Sequence, residues 1–141
     1  SYTMRIMAID YGDAHTGIAI SDPTGLLAGF TTVINSRRQE VVVEQVTLLA
    51  KEHGAEELVL GHPVNMDGTL GPRSEKAKAM KVLLEEATAL PVVLWDERRT
   101  TIDAHNILFN SGKNAKQRKK VVDAVAASLI LEGYLTFKKS H

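Results

Sequence analysis

The sequence predicts an α/β fold built on one mixed five-stranded sheet flanked by helices. Two observations carry this. The first 34 residues hold three strand-like runs joined by short turns, which makes an antiparallel meander. After them, segments with helical spacing of apolar residues alternate with short, wholly apolar runs, the pattern of β-α-β crossovers onto parallel strands.

The first run, Arg5 to Asp10, enters the turn at Tyr11-Gly12, and Gly17 to Asp22 returns from it. Asp22-Pro23-Thr24-Gly25 is a strong turn signal ahead of a third strand over Leu26 to Ile34. From Gln39 to His53, Val42, Val46, Leu49 and Ala50 recur at helical spacing, and Gly54 suits a helix end. Leu58-Val59-Leu60 is a strand buried on both faces, stopping at Gly61-His62-Pro63. A polar loop from Val64 to Gly71 follows. Pro72 suits the first turn of a helix running to about Ala89. Val92 to Trp95 is a further buried strand ending at Asp96-Glu97. Thr100 and Asp103 resemble a capping box for a helix closed by Ser111-Gly112. The basic stretch from Lys113 to Lys120 reads as a loop, and Val121 to Phe137 as a last helix. No linker, repeat or low-complexity segment divides residues 1–141, so one domain is expected.

Composition removes several classes of function. The absence of cysteine excludes disulfides, thiolate zinc sites and cysteine nucleophiles, and fits a cytoplasmic protein. No run approaches the roughly 20 apolar residues of a membrane span, and the N-terminus lacks a signal-peptide pattern. The formal net charge is zero, so nothing global points to nucleic acid. Locally, Lys113, Lys116, Arg118, Lys119 and Lys120 cluster, and Arg98 and Arg99 follow the second acidic site. Taken alone, such a run is more often a solvated loop than a phosphate-binding one.

Carboxylates occupy three unusual places. Asp10 ends an apolar strand, where it either bonds nearby turn amides or holds a cation. Asp96 and Glu97 end another, and because adjacent strand residues face opposite ways, one of the pair points toward Asp10. Asp123 sits in a helix apolar almost all round. Its partner is Lys119 or Lys120 one turn earlier, the helix macrodipole, or a metal ion. Oxygen ligands without cysteine or a paired-histidine motif suit Mg2+ or Mn2+ rather than zinc. Such a cluster can hold two ions roughly 3.5–4 Å apart and drive phosphodiester hydrolysis. His62 is most simply a loop residue, and Trp95 and Tyr134 are most simply packing residues.

Four segments, in this order, resemble the YqgF family, described as Holliday-junction resolvases or pre-16S rRNA nucleases with an RNase H-like fold. They are Ala8 to Asp22, Leu60 to Thr69, Asp96-Glu97-Arg98-Arg99-Thr100-Thr101, and Lys120 to Leu131. The resemblance covers nearly the whole chain. It implies that Asp10, Glu97 and Asp123 are the catalytic, metal-binding acids of an RNase H-like endonuclease using Mg2+ or Mn2+. It also implies that the loop from Pro63 to Gly71 borders the site. His15, Asn65, Arg98, Lys116, Arg118 and Lys119 are the candidates for substrate contact. Ala14-His15 stands where the family has a basic pair, so His15 replaces a phosphate contact only in part.

The implied substrate is the 5′ end of pre-16S rRNA, with four-way DNA as the alternative. The implied partner is thus structured RNA or branched DNA, not a membrane. The protein would act as a monomer or, for junctions, as a homodimer. A sugar-kinase or actin-like ATPase shares the Asp-x-Gly hairpin but needs two such domains. A non-catalytic RNA-binding assembly factor is the remaining rival.

Overall fold

A computed structural model describes residues 5–12, 14–21, 28–62, 71–96 and 115–140, with the backbone alone at 28, 72–73, 115–124 and 139–140. The chain forms β1 (Ile6–Asp10), β2 (His15–Ser21), β3 (Ala28–Asn35), α1 (Gln39–His53), β4 (Glu57–His62), α2 (Pro72–Thr88), β5 (Val92–Asp96) and α3 (Ala115–Ser140). These strands make one sheet in the order β3-β2-β1-β4-β5. β1 pairs antiparallel with β2, and β2 with β3, whereas β1–β4 and β4–β5 are parallel. Meander and crossovers therefore meet at β1, which is central and has every residue but its last buried.

Strand alternation sorts the core into two layers. Met7, Ile9, Ile18, Ile20, Leu58 and Leu60 point to one face, against Val42 and Val46 of α1 and Met80 and Leu84 of α2. Ile6, Ala8, Ala19, Val59 and Trp95 point to the other, against Ala127, Ile130, Leu131 and Tyr134 of α3. Buried apolar stripes on both faces explain why the parallel strands are apolar throughout.

The caps follow the local chemistry. α1 ends at Gly54, whose φ of 69° is left-handed and whose N–H bonds the Ala50 carbonyl. α2 starts with Pro72 in its first turn and ends at Ala89, also left-handed with φ 59°. An L-residue holds that conformation at a cost of about 1–2 kcal/mol, and Pro91 just beyond forbids continuing the helix.

Three expectations are corrected. α3 begins at Ala115, not Val121, so residues 115–120 are helical and not a loop. Ala, Lys, Arg and Gln are all good helix formers, and a basic run has no reason to break a helix. Asp123 consequently lies more than two turns inside α3, beyond the reach of the macrodipole effect suggested for it. β4 extends to His62, which is a strand residue and not a loop residue. The turn at Asp22 to Gly25, the loop from Pro63 to Leu70 and the expected helix from Thr100 to Ser111 lie outside the described residues.

Candidate active site at the carboxyl ends of the parallel strands

Asp10 closes β1 at the end where β4 and β5 also finish, the usual ligand-binding end of an open sheet. Alternation from Ala8 places Asp10 on the α3 face. Its cross-strand neighbour on β2 is Gly17. On β4, one step beyond the Ile9–Leu60 pair, comes Gly61. Neither neighbour carries a side chain, so the half-buried carboxylate stands in a cleared strip of sheet. Among the described residues it has no hydrogen-bond or ion-pair partner.

The turn beside it is tightly built. A Cβ at Gly12 would meet the His15 carbonyl oxygen at 2.5 Å, so only glycine fits there. The Ser36 N–H donates to the Ala14 carbonyl at 3.0 Å and ties the turn to the end of β3. His15 stands opposite Asn35 in the β2–β3 register, and His15 Nδ1 lies 2.6 Å from Asn35 Oδ1. By alternation from Ala19, His15 shares Asp10's face and lies at the rim of the same end.

Asp96 belongs to the other face. Val92 packs in the α1/α2 layer with Leu94 against it, and Val93 and Trp95 take the α3 layer, so Asp96 turns toward α1 and α2. It lies level with His62, whose Nε2 is 2.5 Å from the buried Ser74 hydroxyl in the first turn of α2. This small polar group is separated from Asp10 by the sheet itself. The sequence had no means of finding the His62–Ser74 contact, because the two residues are joined only through folding of α2 onto β4.

Position 123 falls one helical turn before Ala127 on the stripe that continues through Ile130 and Tyr134 against the sheet. Its side chain lies outside the described residues, as do those of Lys116, Arg118 and Lys119; Glu97, Arg98 and Asn65 lie outside entirely. Among the described residues no three acidic or imidazole groups gather into a metal site, and Asp10 is the described member of the proposed set.

The architecture is an RNase H-like fold. It superposes on T. thermophilus RuvC in complex with a Holliday junction substrate with a TM-score of 0.64, at 12% identity over 96% of each chain. A ROK hexokinase from Thermus thermophilus shares the fold over 73% of this chain and 38% of its own, with a TM-score of 0.51 at 23% identity. The family model described as "RuvX: Holliday junction resolvase" matches residues 4–137, and the chain belongs to that family. Among its relatives is the "Putative pre-16S rRNA nuclease" of Halothermothrix orenii, 43% identical over 135 residues and 96% of both chains.

Proposed function

We propose that residues 1–141 form one nuclease domain that hydrolyses phosphodiesters with Mg2+ or Mn2+, and that it trims the 5′ end of pre-16S rRNA in the cytoplasm. The observation that carries this reading is the Asp10 carboxylate, which has no partner among the described residues and is set between two glycines on the face covered by α3. Relatives named for pre-16S rRNA support that choice of substrate class. No helix among the described residues is long and apolar enough to cross a membrane.

Asp10, Glu97 and Asp123 are assigned as the ligands. The donor set fits a hard cation, being carboxylate oxygen without sulfur or paired imidazole. Several observations support the three together. Tyr134 and Lys138 of α3 reach Glu57, which is level with Ile6 at the start of β1. Lower-numbered residues of α3 therefore lie progressively away from that end of the sheet. Position 123, on the sheet-facing stripe, suits a partner for Asp10. Since Asp96 faces away, the next residue in the alternation, Glu97, is the member of that pair assigned to the site. When bound, one or two such ions supply an activated water and neutralise charge on the scissile phosphate. The chain's own part is to bring the carboxylates together and, through Asn65, Arg98 and the cations of α3, to hold the nucleic-acid backbone.

The description of the family favours one second reading, cleavage of four-way DNA. A decisive comparison offers a structured RNA with a 16S 5′ extension and a four-way DNA junction, each with and without Mn2+. Cleavage of the RNA alone, by a monomer in light scattering, supports the rRNA reading. Paired symmetric cuts in the junction by a dimer replace it with the resolvase. Cleavage of neither sinks both.

A further inference from the structure

We propose that His15 and Asn35 form a ribose-reading pair, in which Asn35 fixes the His15 tautomer so that Nε2 accepts a hydrogen bond from a 2′-hydroxyl of RNA. This rests on the nuclease reading of the Asp10 end and adds a residue-level source for its choice of RNA.

The argument starts from the register. β2 and β3 place His15 directly opposite Asn35, and the ring nitrogen facing Asn35 is Nδ1, at 2.6 Å from Oδ1. An amide oxygen only accepts, so Nδ1 must donate. In a neutral imidazole one nitrogen donates and the other accepts, which leaves Nε2 with a lone pair. Among the described residues Nε2 has no partner. The ring is half exposed at the rim of the cleared strip around Asp10, on Asp10's own face. It is held there by the Gly12 turn and by the Ser36–Ala14 backbone bond.

A lone pair cannot bind a phosphate, whose free oxygens are acceptors as well. It needs an O–H or N–H donor. On a nucleic-acid backbone the only such donor is the ribose 2′-hydroxyl, present in RNA and absent from DNA. His15 is therefore better suited to recognising the sugar than to replacing a basic phosphate contact, the role expected of it from sequence. Asn35 is a positioning residue, acting through the imidazole and not on the substrate.

The test measures binding at about pH 8, above the usual imidazole range. It uses the Asp10→Asn background so that no probe is cut. The probes are one single-stranded RNA, its all-2′-deoxy counterpart and its 2′-O-methyl form, which keeps the oxygen but loses the donor. His15→Ala and Asn35→Ala should each reduce the preference for RNA over both modified probes by about three- to tenfold, the worth of one net hydrogen bond. Asn35→Asp retains an acceptor for Nδ1–H and should keep the preference. Imidazole ¹⁵N spectra should show the Nδ1–H tautomer of His15 in the parent and in Asn35→Asp, and its loss in Asn35→Ala. A merely structural Asn35 would leave both the tautomer and the ratio unmoved. An unchanged ratio in His15→Ala, or an Nε2–H tautomer in the parent, overturns the proposal. Because binding is read without cleavage, failure here is distinguishable from failure of the nuclease assignment.

Discussion

Tyr134→Phe removes one oxygen and should weaken the whole molecule. Glu57 opens β4 and is 7% exposed, yet it is a carboxylate. Each of its oxygens has a donor from α3: the Tyr134 hydroxyl to Oε1, and Lys138 Nζ to Oε2 at 2.9 Å. The phenylalanine ring would keep the edge contact with Trp95, now at 5.7 Å between centroids, so apolar packing is preserved. What is lost is one hydrogen bond to a charged, buried acceptor, worth about 1.5–3 kcal/mol. For a chain of this size that lowers Tm by roughly 5–10 °C. The pH dependence has a definite sign. Burial first, then the hydrogen bond and charge of Glu57, push the Tyr134 phenol above its ordinary range. The unfolded chain therefore ionises first, and the stabilisation is complete below about pH 10 and lost as pH rises above it. Urea unfolding of wild type and variant from neutral to alkaline pH reads both effects. A constant gap at neutral pH that narrows in alkali is expected. A variant within about 0.5 kcal/mol of wild type at neutral pH would refute the argument that Glu57 depends on this donor.

Gly12→Ala drives a Cβ into the His15 carbonyl oxygen, which lies at 2.5 Å from that position. It should cost about 1–3 kcal/mol in thermal unfolding and lower cleavage by displacing the turn after Asp10. Asp96→Asn acts on the face opposite Asp10, so turnover should stay near wild type while stability falls; a large loss of turnover with unchanged stability would reverse the choice of Glu97. Neutralising Lys116, Arg118 and Lys119 together should weaken RNA binding and make its salt dependence shallower by about 2.1–2.7 log–log units, read by titration of labelled RNA at several salt concentrations.

Much of the fold was written in local patterns. Short apolar runs, helical spacing of apolar residues and the glycine after His53 mark elements that the chain does form, and the switch from meander to crossovers set the sheet's topology. The start of α3 is hidden by its charge, which resembles a loop signal although the residues concerned favour helix. Asp10 stood out because a carboxylate ends an apolar run. Asp96 and Glu97 did not separate, since Val92 to Trp95 is apolar on both faces and so hides the phase of the alternation. The contacts His15–Asn35 and Glu57–Tyr134 join residues 20 and 77 apart. No spacing rule encodes such pairs, because they arise from strand register and from where α3 crosses the sheet.

The central claim is that Asp10 is a metal ligand of a phosphodiesterase site. Its most direct test is the Mn2+-dependent cleavage rate of a labelled structured RNA by wild type and Asp10→Asn, with both shown to be equally folded. The account predicts no cleavage by wild type in chelator. It also predicts a fall of about a thousandfold in the variant, matching several kcal/mol of lost charge stabilisation. A well-folded Asp10→Asn protein that cuts within about tenfold of the wild-type rate would contradict it.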